Sequence, residues 1–383
     1  MNLLDVIEKI KTIRPKLTLL TGMSHEFDFY SHSAVVAKMG EEYVLRVAMA
    51  YNGNGRVLCT RRVVLRERIS QPVSHLRQRS LRYAPLAALI HDGGGGARLR
   101  AVVVGAVHAL RTEPELLLVR NLKTDTNVLI DCGKTFREAA LRIFPKVGVS
   151  AVHSLVLTHD HADALLGMDD LREVQAHVET VDPVTKELYK IPPEAMKVHC
   201  SEPTSHDVIA KFPYLIDNEP APPAGEAAPK PFRWTAKLQI DAFSPWEPFE
   251  ACGIKFLPFP VIHGEGYTSF GFEFGYEAGA RFVYISDVSE IPDDTRAFLN
   301  DKSKPPIDVL LIDALYLEKY HSTHMNLQKV VEEIATIQPK RTLLTGMSHD
   351  FDYPKHSVEV PKMGEEKGLN IEMTYDGLRI AFP

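Results

Sequence analysis

The sequence predicts a layered domain of mixed α/β or α+β class, preceded by an atypical N-terminal extension. Apolar runs typical of strands dominate from about residue 101 onwards, and helical patterns lie between them. A repeat and an abrupt change of composition set residues 1–100 apart. The 383 residues suffice for one large or two ordinary domains. With 45% hydrophobic and 25% charged residues, the composition is that of a globular protein.

Residues 1–42 repeat residues 325–366 without a gap, and 28 of the 42 positions are identical. The later copy carries apolar residues at the spacing of an amphipathic helix: Leu327, Val330, Val331, Ile334 and Ile337. Pro339 ends this helix, and the run 341–346 that follows predicts a short buried strand. A tandem duplication explains the repeat, so we expect residues 1–42 to be a partial, non-catalytic copy of the C-terminal segment.

Residues 43–100 contain eleven arginines, no lysine and only two acidic residues. This stretch ends in a glycine-rich run, and it predicts an arginine-rich linker or poorly ordered insert. A patch for nucleic acid or an anionic surface, and a targeting segment, are the alternatives. The main folded domain is therefore expected to span residues 101–383.

Elements within residues 101–383 follow from apolar runs bounded by turn residues. Strands are predicted in residues 99–107, 114–121, 126–133, 152–160, 253–266, 268–276, 280–290 and 306–316. Helices are predicted at 135–144 and 164–177, and a Pro/Ala-rich surface loop at 218–231.

Several classes of protein are disfavoured by the sequence. No apolar run approaches the ~18 residues of a membrane span, and the N-terminus does not resemble a signal peptide. The net charge of −6 argues against a general polyanion binder. The four cysteines are far apart, which argues against a disulfide framework or a cysteine zinc site. These features predict a cytoplasmic protein.

A cluster of metal-ligating residue types follows the strand at 152–160. His159, His161 and Asp163 occupy alternate positions, so in extended chain their side chains point to one side. Two imidazoles and a carboxylate in this arrangement suit Zn²⁺ or Mn²⁺.

With its neighbours in the chain, this motif resembles the metallo-β-lactamase-fold hydrolases. The resemblance is nearest to the branch of tRNase Z and the cyclic-phosphate phosphodiesterases. It rests on five segments in the right order: NVLIDCG (127–133), THDHADA (158–164), VIHGEGYTS (261–269), YISDVSE (284–290) and GMSHDFD (346–352). It implies an αββα sandwich with metal ions at one edge, between two sheets.

The resemblance also implies a set of metal ligands. For a first ion these are His159, His161, His263 and Asp287; for a second ion they are Asp163, Asp287 and, if it reaches, His349. The family motif usually continues with a histidine where this chain has Ala164, and its last ligand usually falls where this chain has Gly346. We therefore expect one tightly bound Zn²⁺ or Mn²⁺ and a second ion that is weak or absent.

Three further roles are expected. Asp163 would position or deprotonate a water. His324 would protonate the leaving oxygen, because the resemblance implies a non-ligand histidine at this place that assists the leaving group or orients phosphate. Asp131 would order neighbouring ligands or the turn. Simpler roles compete: His263 as a surface histidine, Asp287 as a turn former, and His324 as a residue that starts a helix.

The expected reaction is hydrolysis of a small or cyclic phosphodiester by a metal-bound hydroxide. The alternatives are an RNA 3′-processing nuclease, a thioester or lactone hydrolase on the same fold, and an inactive metal-binding homologue. A nucleic-acid substrate is less favoured than a small molecule, no membrane partner is expected, and a homodimer is left open.

Overall fold

The computed structural model describes residues 18–20, 47–49, 99–103, 116–175, 178–181, 188–191, 194–216 and 235–381. The counterpart of the predicted helix in residues 1–42, most of the arginine-rich insert and the predicted loop at 218–231 lie outside these ranges. Within them, Thr18–Leu20 (β1) pairs in parallel with Val47–Met49 (β2). The strand Leu99–Val103 (β3) begins two residues before the predicted domain boundary and pairs into the main fold.

Two seven-stranded sheets form the fold. In spatial order the first contains Leu238–Phe243 (β10), Met196–Ser201 (β9), Ser154–Val156 (β6), Thr126–Ile130 (β5), Leu117–Asn121 (β4), β3 and Arg379–Ala381 (β18). The second contains Phe249–Ala251 (β11), Ile254–Ile262 (β12), Thr268–Phe274 (β13), Phe282–Ile285 (β14), Val309–Asp313 (β15), Thr342–Thr345 (β16) and Ile371–Met373 (β17). A separate antiparallel pair joins Val178–Val181 (β7) and Leu188–Ile191 (β8).

Helices cover the outer faces of the two sheets. They are Phe136–Val147 (α1), Ala162–Leu165 (α2), Glu202–Lys211 (α3), Asp293–Leu299 (α4), Leu327–Ile337 (α5) and Tyr353–Glu366 (α6). Short 3₁₀ turns occupy Met168–Glu173 and Tyr276–Ala278. One apolar cluster joins α1 and α3 to the first sheet, a second lies between the sheets, and a third joins α5 and α6 to the second sheet. The predicted αββα sandwich is confirmed.

The helix at 327–337 follows from its sequence pattern. Its five predicted apolar positions are all buried, because they face the second sheet. Asn326 caps the helix by accepting a hydrogen bond from the Lys329 amide at 2.9 Å. Gln338 ends it in a left-handed conformation.

The predicted helix at 164–177 is wrong as one element. The chain forms the short α2 and then a 3₁₀ turn, separated at Gly167. A Cβ at Gly167 would lie 2.2 Å from the Gly133 carbonyl oxygen and 2.7 Å from Cβ of Phe136. This close approach to the turn after β5 leaves no room for a side chain, so only glycine fits where the two pieces meet.

His199 predicts a pH dependence of stability. This imidazole on β9 is buried, stacks on Phe249, and has no hydrogen-bond partner on either ring nitrogen. Burial lowers its pKa from 6.5 to about 4, although Asp241 acts in the opposite direction. The unfolded chain therefore binds the proton first. The stability due to this group is complete above pH 6.5 and is lost as the pH falls towards 4.

Replacement of His199 by phenylalanine is therefore expected to flatten the acid limb of the stability curve. The wild type should lose about 3 kcal/mol more than the variant between pH 7 and pH 4. Urea unfolding at several pH values measures this difference. His206→Phe, at an exposed helix position, is the control. Parallel pH profiles for wild type and His199→Phe would contradict the assignment.

Candidate metal centre

The site lies where carboxyl ends of strands from both sheets meet. His159 and His161 follow β6, His263 follows β12, and Asp287 lies two residues beyond β14. The first sheet reaches the second here, because the Phe270 amide donates to the Thr158 carbonyl at 3.1 Å. Carboxyl ends of strands are where open sheets commonly place their ligands.

Three imidazoles form a nearly equilateral group. The ring centroids of His159, His161 and His263 are 4.7 to 5.1 Å apart. One nitrogen from each ring lies within 4.8 Å of the others, and a second such group joins His263, Asp287 and His324. The two groups share His263, so the other four side chains all lie close to this ring.

His159 is oriented by a short chain of hydrogen bonds. Its Nδ1 lies 2.8 Å from the Thr158 hydroxyl, which in turn donates to the Asp131 carboxylate at 2.9 Å. The Thr158 amide also donates to Asp131 at 2.8 Å. Nδ1 is thereby occupied, and Nε2 faces the centre, buried and without a hydrogen-bond partner. This contact fits the ordering role expected of Asp131.

His263 is oriented in a comparable way by a backbone carbonyl. Its Nδ1 donates to the Thr323 carbonyl oxygen at 2.7 Å, which leaves Nε2 as an acceptor. Nε2 lies 3.1 Å from Nδ1 of His161 and 4.0 Å from Oδ1 of Asp287. Two nitrogens bound to one tetrahedral Zn²⁺ are roughly 3.3 Å apart. The spacing therefore suits two ligands of a single ion.

The electrostatics favour a cation. Burial lowers the pKa of His159, and it lowers that of His263 to about 4, so both rings are neutral near pH 7. Burial alone would raise the pKa of Asp287. The opposing influence of His159, His324 and His263 is greater, and it holds that pKa below its usual value. Neutral imidazoles beside a carboxylate anion are the donor set that Zn²⁺ and Mn²⁺ take.

Asp163 completes the group on the His159 side. Its Oδ1 is buried, has no hydrogen-bond partner, and lies 3.9 Å from Nε2 of His159. Two buried polar atoms without partners are costly in a folded protein unless another group meets them. A divalent ion bound here would satisfy both, so these residues fit a metal.

His324 and Asp313 form a second unit at the centre. The His324 Nδ1 donates to Oδ2 of Asp313 at 2.7 Å, and its Nε2 lies 4.0 Å from Oδ1 of Asp287. Burial raises the pKa of Asp313 to about 7. Burial would lower the pKa of His324, but Asp313 and Asp287 together raise it to about 9. The pair therefore holds a proton beside the centre near neutral pH.

The structure does not bring His349 to this centre. The residue is exposed, in the turn after β16, and belongs to neither group of potential ligands. Ala164 is buried, and its carbonyl accepts from the Cys132 amide at 2.6 Å. Gly346 has a φ of 67°, which suits glycine. Within the described residues, neither of these two positions offers an imidazole to a second ion.

Sequence reasoning missed Tyr267, Asp160 and Asp313. The Tyr267 ring stacks on His161 with a centroid distance of 4.6 Å and an angle of 9°. Its hydroxyl donates to the Asp160 carboxylate, and the Asp160 amide donates back to it at 3.3 Å. Burial and the Asp160 contact raise the pKa of Tyr267, so the hydroxyl stays protonated. Tyr267 therefore fixes the orientation of the His161 ring, which is the exposed member of the three-histidine group.

Replacement of Tyr267 by phenylalanine is expected to weaken metal binding about tenfold, because supporting contacts of this kind contribute 10- to 100-fold in affinity. Competition for Zn²⁺ against a chromophoric chelator measures the change. Tyr276→Phe is the matched control, since that hydroxyl donates to Glu273 at 2.9 Å, outside both groups of potential ligands. Equal affinities for the two variants would remove the supporting role of Tyr267.

The chain matches the family described as "Beta-lactamase superfamily domain" over residues 126–347. It is similar to the solved structure of a diphosphatase from the PhnP family, with 25% identity and a TM-score of 0.53, covering 75% of this chain and 98% of that one. It shares the fold of the metallo-β-lactamase fold protein YhfI from Bacillus subtilis, with 15% identity and a TM-score of 0.52, covering 74% and 99% of the two chains.

A curated relative, the octanoyltransferase of Porphyromonas gingivalis, is 22% identical over 271 residues. The match covers 71% of this chain and 45% of that relative, so the chain spans less than half of the relative's length. No helix in the ranges that the structure describes is both long and apolar enough to cross a membrane.

Proposed function

Because this chain belongs to the beta-lactamase superfamily domain family, whose metallo-β-lactamase-fold members are mostly metal-dependent hydrolases, we propose that it hydrolyses a small or cyclic phosphodiester. The observation that carries this proposal is the His324–Asp313 pair beside the imidazole group. A pair that holds a proton there can supply it to the oxygen that leaves phosphorus.

The ion would be held by His159, His161, His263 and Asp287, with Asp163 beside them. When bound, a divalent cation supplies Lewis acidity and lowers the pKa of water. The Asp163 carboxylate, which lies on the His159 side of this group, orients the attacking water and accepts its proton. His324 donates its Nε2 proton to the leaving oxygen, and Asp313 stabilises the ring through Nδ1.

The identity and number of the ions are part of the same proposal. We expect Zn²⁺ or Mn²⁺, one tightly bound and a second weak or absent, because Ala164 and Gly346 provide no imidazole. The similarity to a diphosphatase of the PhnP family supports phosphorus esters as the substrate class.

Turnover of bis-p-nitrophenyl phosphate by the metal-loaded protein tests the proposal. A 2′,3′-cyclic nucleotide, a tRNA precursor and an acyl thioester are assayed in parallel, each with metal content measured on the same sample. Turnover of bis-p-nitrophenyl phosphate and of the cyclic nucleotide is expected, and Asp163→Asn should reduce it strongly. Cleavage of only the RNA or only the thioester, or bound metal without turnover of any substrate, would overturn it.

A further inference from the structure

The internal repeat has a consequence for how the chain assembles, and it is independent of the metal centre. Residues 325–366 include α5, β16 and α6, and they cover one face of the second sheet and form one of its inner strands. Residues 1–42 offer a second segment of the same pattern. One sheet therefore has two candidate occupants, both in one chain.

The differences between the copies follow burial. Of the 15 buried positions between 325 and 366, 13 carry the same residue in residues 1–42, whereas eight of the 16 exposed positions differ. The copies thus diverged mainly where side chains face solvent, so residues 1–42 retain nearly the whole packing surface. Of the two buried differences, Ile7 for Val331 is conservative, and the other is Lys9 for Glu333.

Glu333 is the buried position where the copies disagree in charge. Its side chain is 2% exposed and pairs with Arg296 of α4 through one carboxylate oxygen. Lys329 lies 3.3 Å from the other oxygen. Arg296 also donates to the Ile291 carbonyl at 2.9 Å, which fixes its guanidinium in this position. Arg296 therefore favours a covering segment that has an acidic side chain at position 333.

The N-terminal copy inverts this charge pattern. Asp5 stands for the exposed Lys329, and Lys9 stands for the buried Glu333. Seated in the same place, Lys9 would bring an ammonium to the Arg296 guanidinium, which would lose its carboxylate. The Arg296 side chain is 31% exposed, but Lys9 would take the buried position of Glu333, where an unpaired charge is strongly destabilising. The described strand β1, counterpart of Thr342–Leu344 in β16, pairs with β2 and not with the second sheet.

We propose that residues 1–42 retain a surface that fits the second sheet of this fold, and that Arg296 excludes them in favour of residues 325–366. The partner they would accept is a sheet of this kind with an acidic residue in place of Arg296. The 56 residues between the copy and β3 can span roughly 180 Å, so reach within or between chains does not prevent the exchange.

Lys9→Glu in the full chain tests this proposal and leaves the sequence of residues 99–383 unchanged. The variant copy would present a carboxylate to Arg296 and compete for the sheet. Hydrogen exchange followed by mass spectrometry distinguishes the two copies, because their peptides differ in mass. Peptides from α5 should exchange at least about tenfold faster than in the wild type, and peptides from residues 1–42 should gain protection.

Lys11→Glu is the matched control, because it makes the same charge change at the counterpart of the exposed Ala335. It should leave both sets of peptides as in the wild type. Unchanged exchange in Lys9→Glu, equal effects of the two variants, or faster exchange in α1 together with α5 would overturn the proposal. The last result would indicate general destabilisation and not competition for one sheet.

Discussion

Replacement of Asp287 by asparagine is expected to abolish both metal binding and hydrolysis. Its carboxylate faces both His263 and His324, with Oδ1 4.0 Å from Nε2 of each. Asparagine keeps the shape of the side chain and removes its negative charge. Loss of a metal's contribution, several kcal/mol, corresponds to a fall in kcat/KM of about a thousandfold or more.

Metal analysis of the purified variant, with phosphodiester turnover on the same sample, checks this expectation. Asp293→Asn is the control, because this substitution makes the same chemical change at an exposed position in the first turn of α4. Full metal content and near-normal turnover in Asp287→Asn would show that Asp287 is only a residue of the turn after β14.

Asp313→Asn should separate the proton donor from the metal. Asp313 is fully buried, and its Oδ2 accepts from Nδ1 of His324 at 2.7 Å. Without that carboxylate, His324 loses the partner that keeps it protonated and correctly turned. General acid catalysis contributes about 10²- to 10⁴-fold. We expect kcat for an alkyl phosphodiester to fall at least about a hundredfold while metal content stays unchanged.

The dependence of the rate on the leaving group distinguishes loss of the general acid from a general structural defect. A p-nitrophenolate departs without a proton, so the variant should hydrolyse bis-p-nitrophenyl phosphate at nearly the wild-type rate. Asp308→Asn serves as the control; that carboxylate accepts from Lys340 and from the Arg281 amide, away from the centre. Equal losses for good and poor leaving groups would refute the assignment of His324 as the acid.

The parts of the site that could be read from the sequence are those that follow a strand directly. His159 and His161 come just after an apolar run, so their location at a sheet edge follows from local pattern, whereas His263 and Asp287 are implied by the family resemblance. The structure groups His159, His161 and His263, and it also groups His263 with Asp287 and His324; Asp163 lies beside His159. The same local reasoning identified α5, whose apolar spacing matches its buried face.

The rest depends on contacts that no local pattern encodes. Tyr267 supports His161 from 106 positions further along the chain, and it resembles any aromatic residue in a loop. Asp313 ends a buried strand and matters only because His324 meets it. His349 illustrates the opposite case: a histidine in a suggestive motif, which the turn after β16 directs to solvent. Gly167 separates α2 from the 3₁₀ turn, at a point where a neighbouring turn leaves no room for a side chain.

Anomalous diffraction from crystals grown with Zn²⁺, recorded above and below the zinc absorption edge, tests the central assignment most directly. One strong peak is expected about 2.0–2.2 Å from Nε2 of His159, Nδ1 of His161 and Nε2 of His263, with the Asp287 carboxylate as its oxygen ligand. A crystal saturated with zinc that shows no peak among these four side chains, or a peak held by other residues, would contradict it.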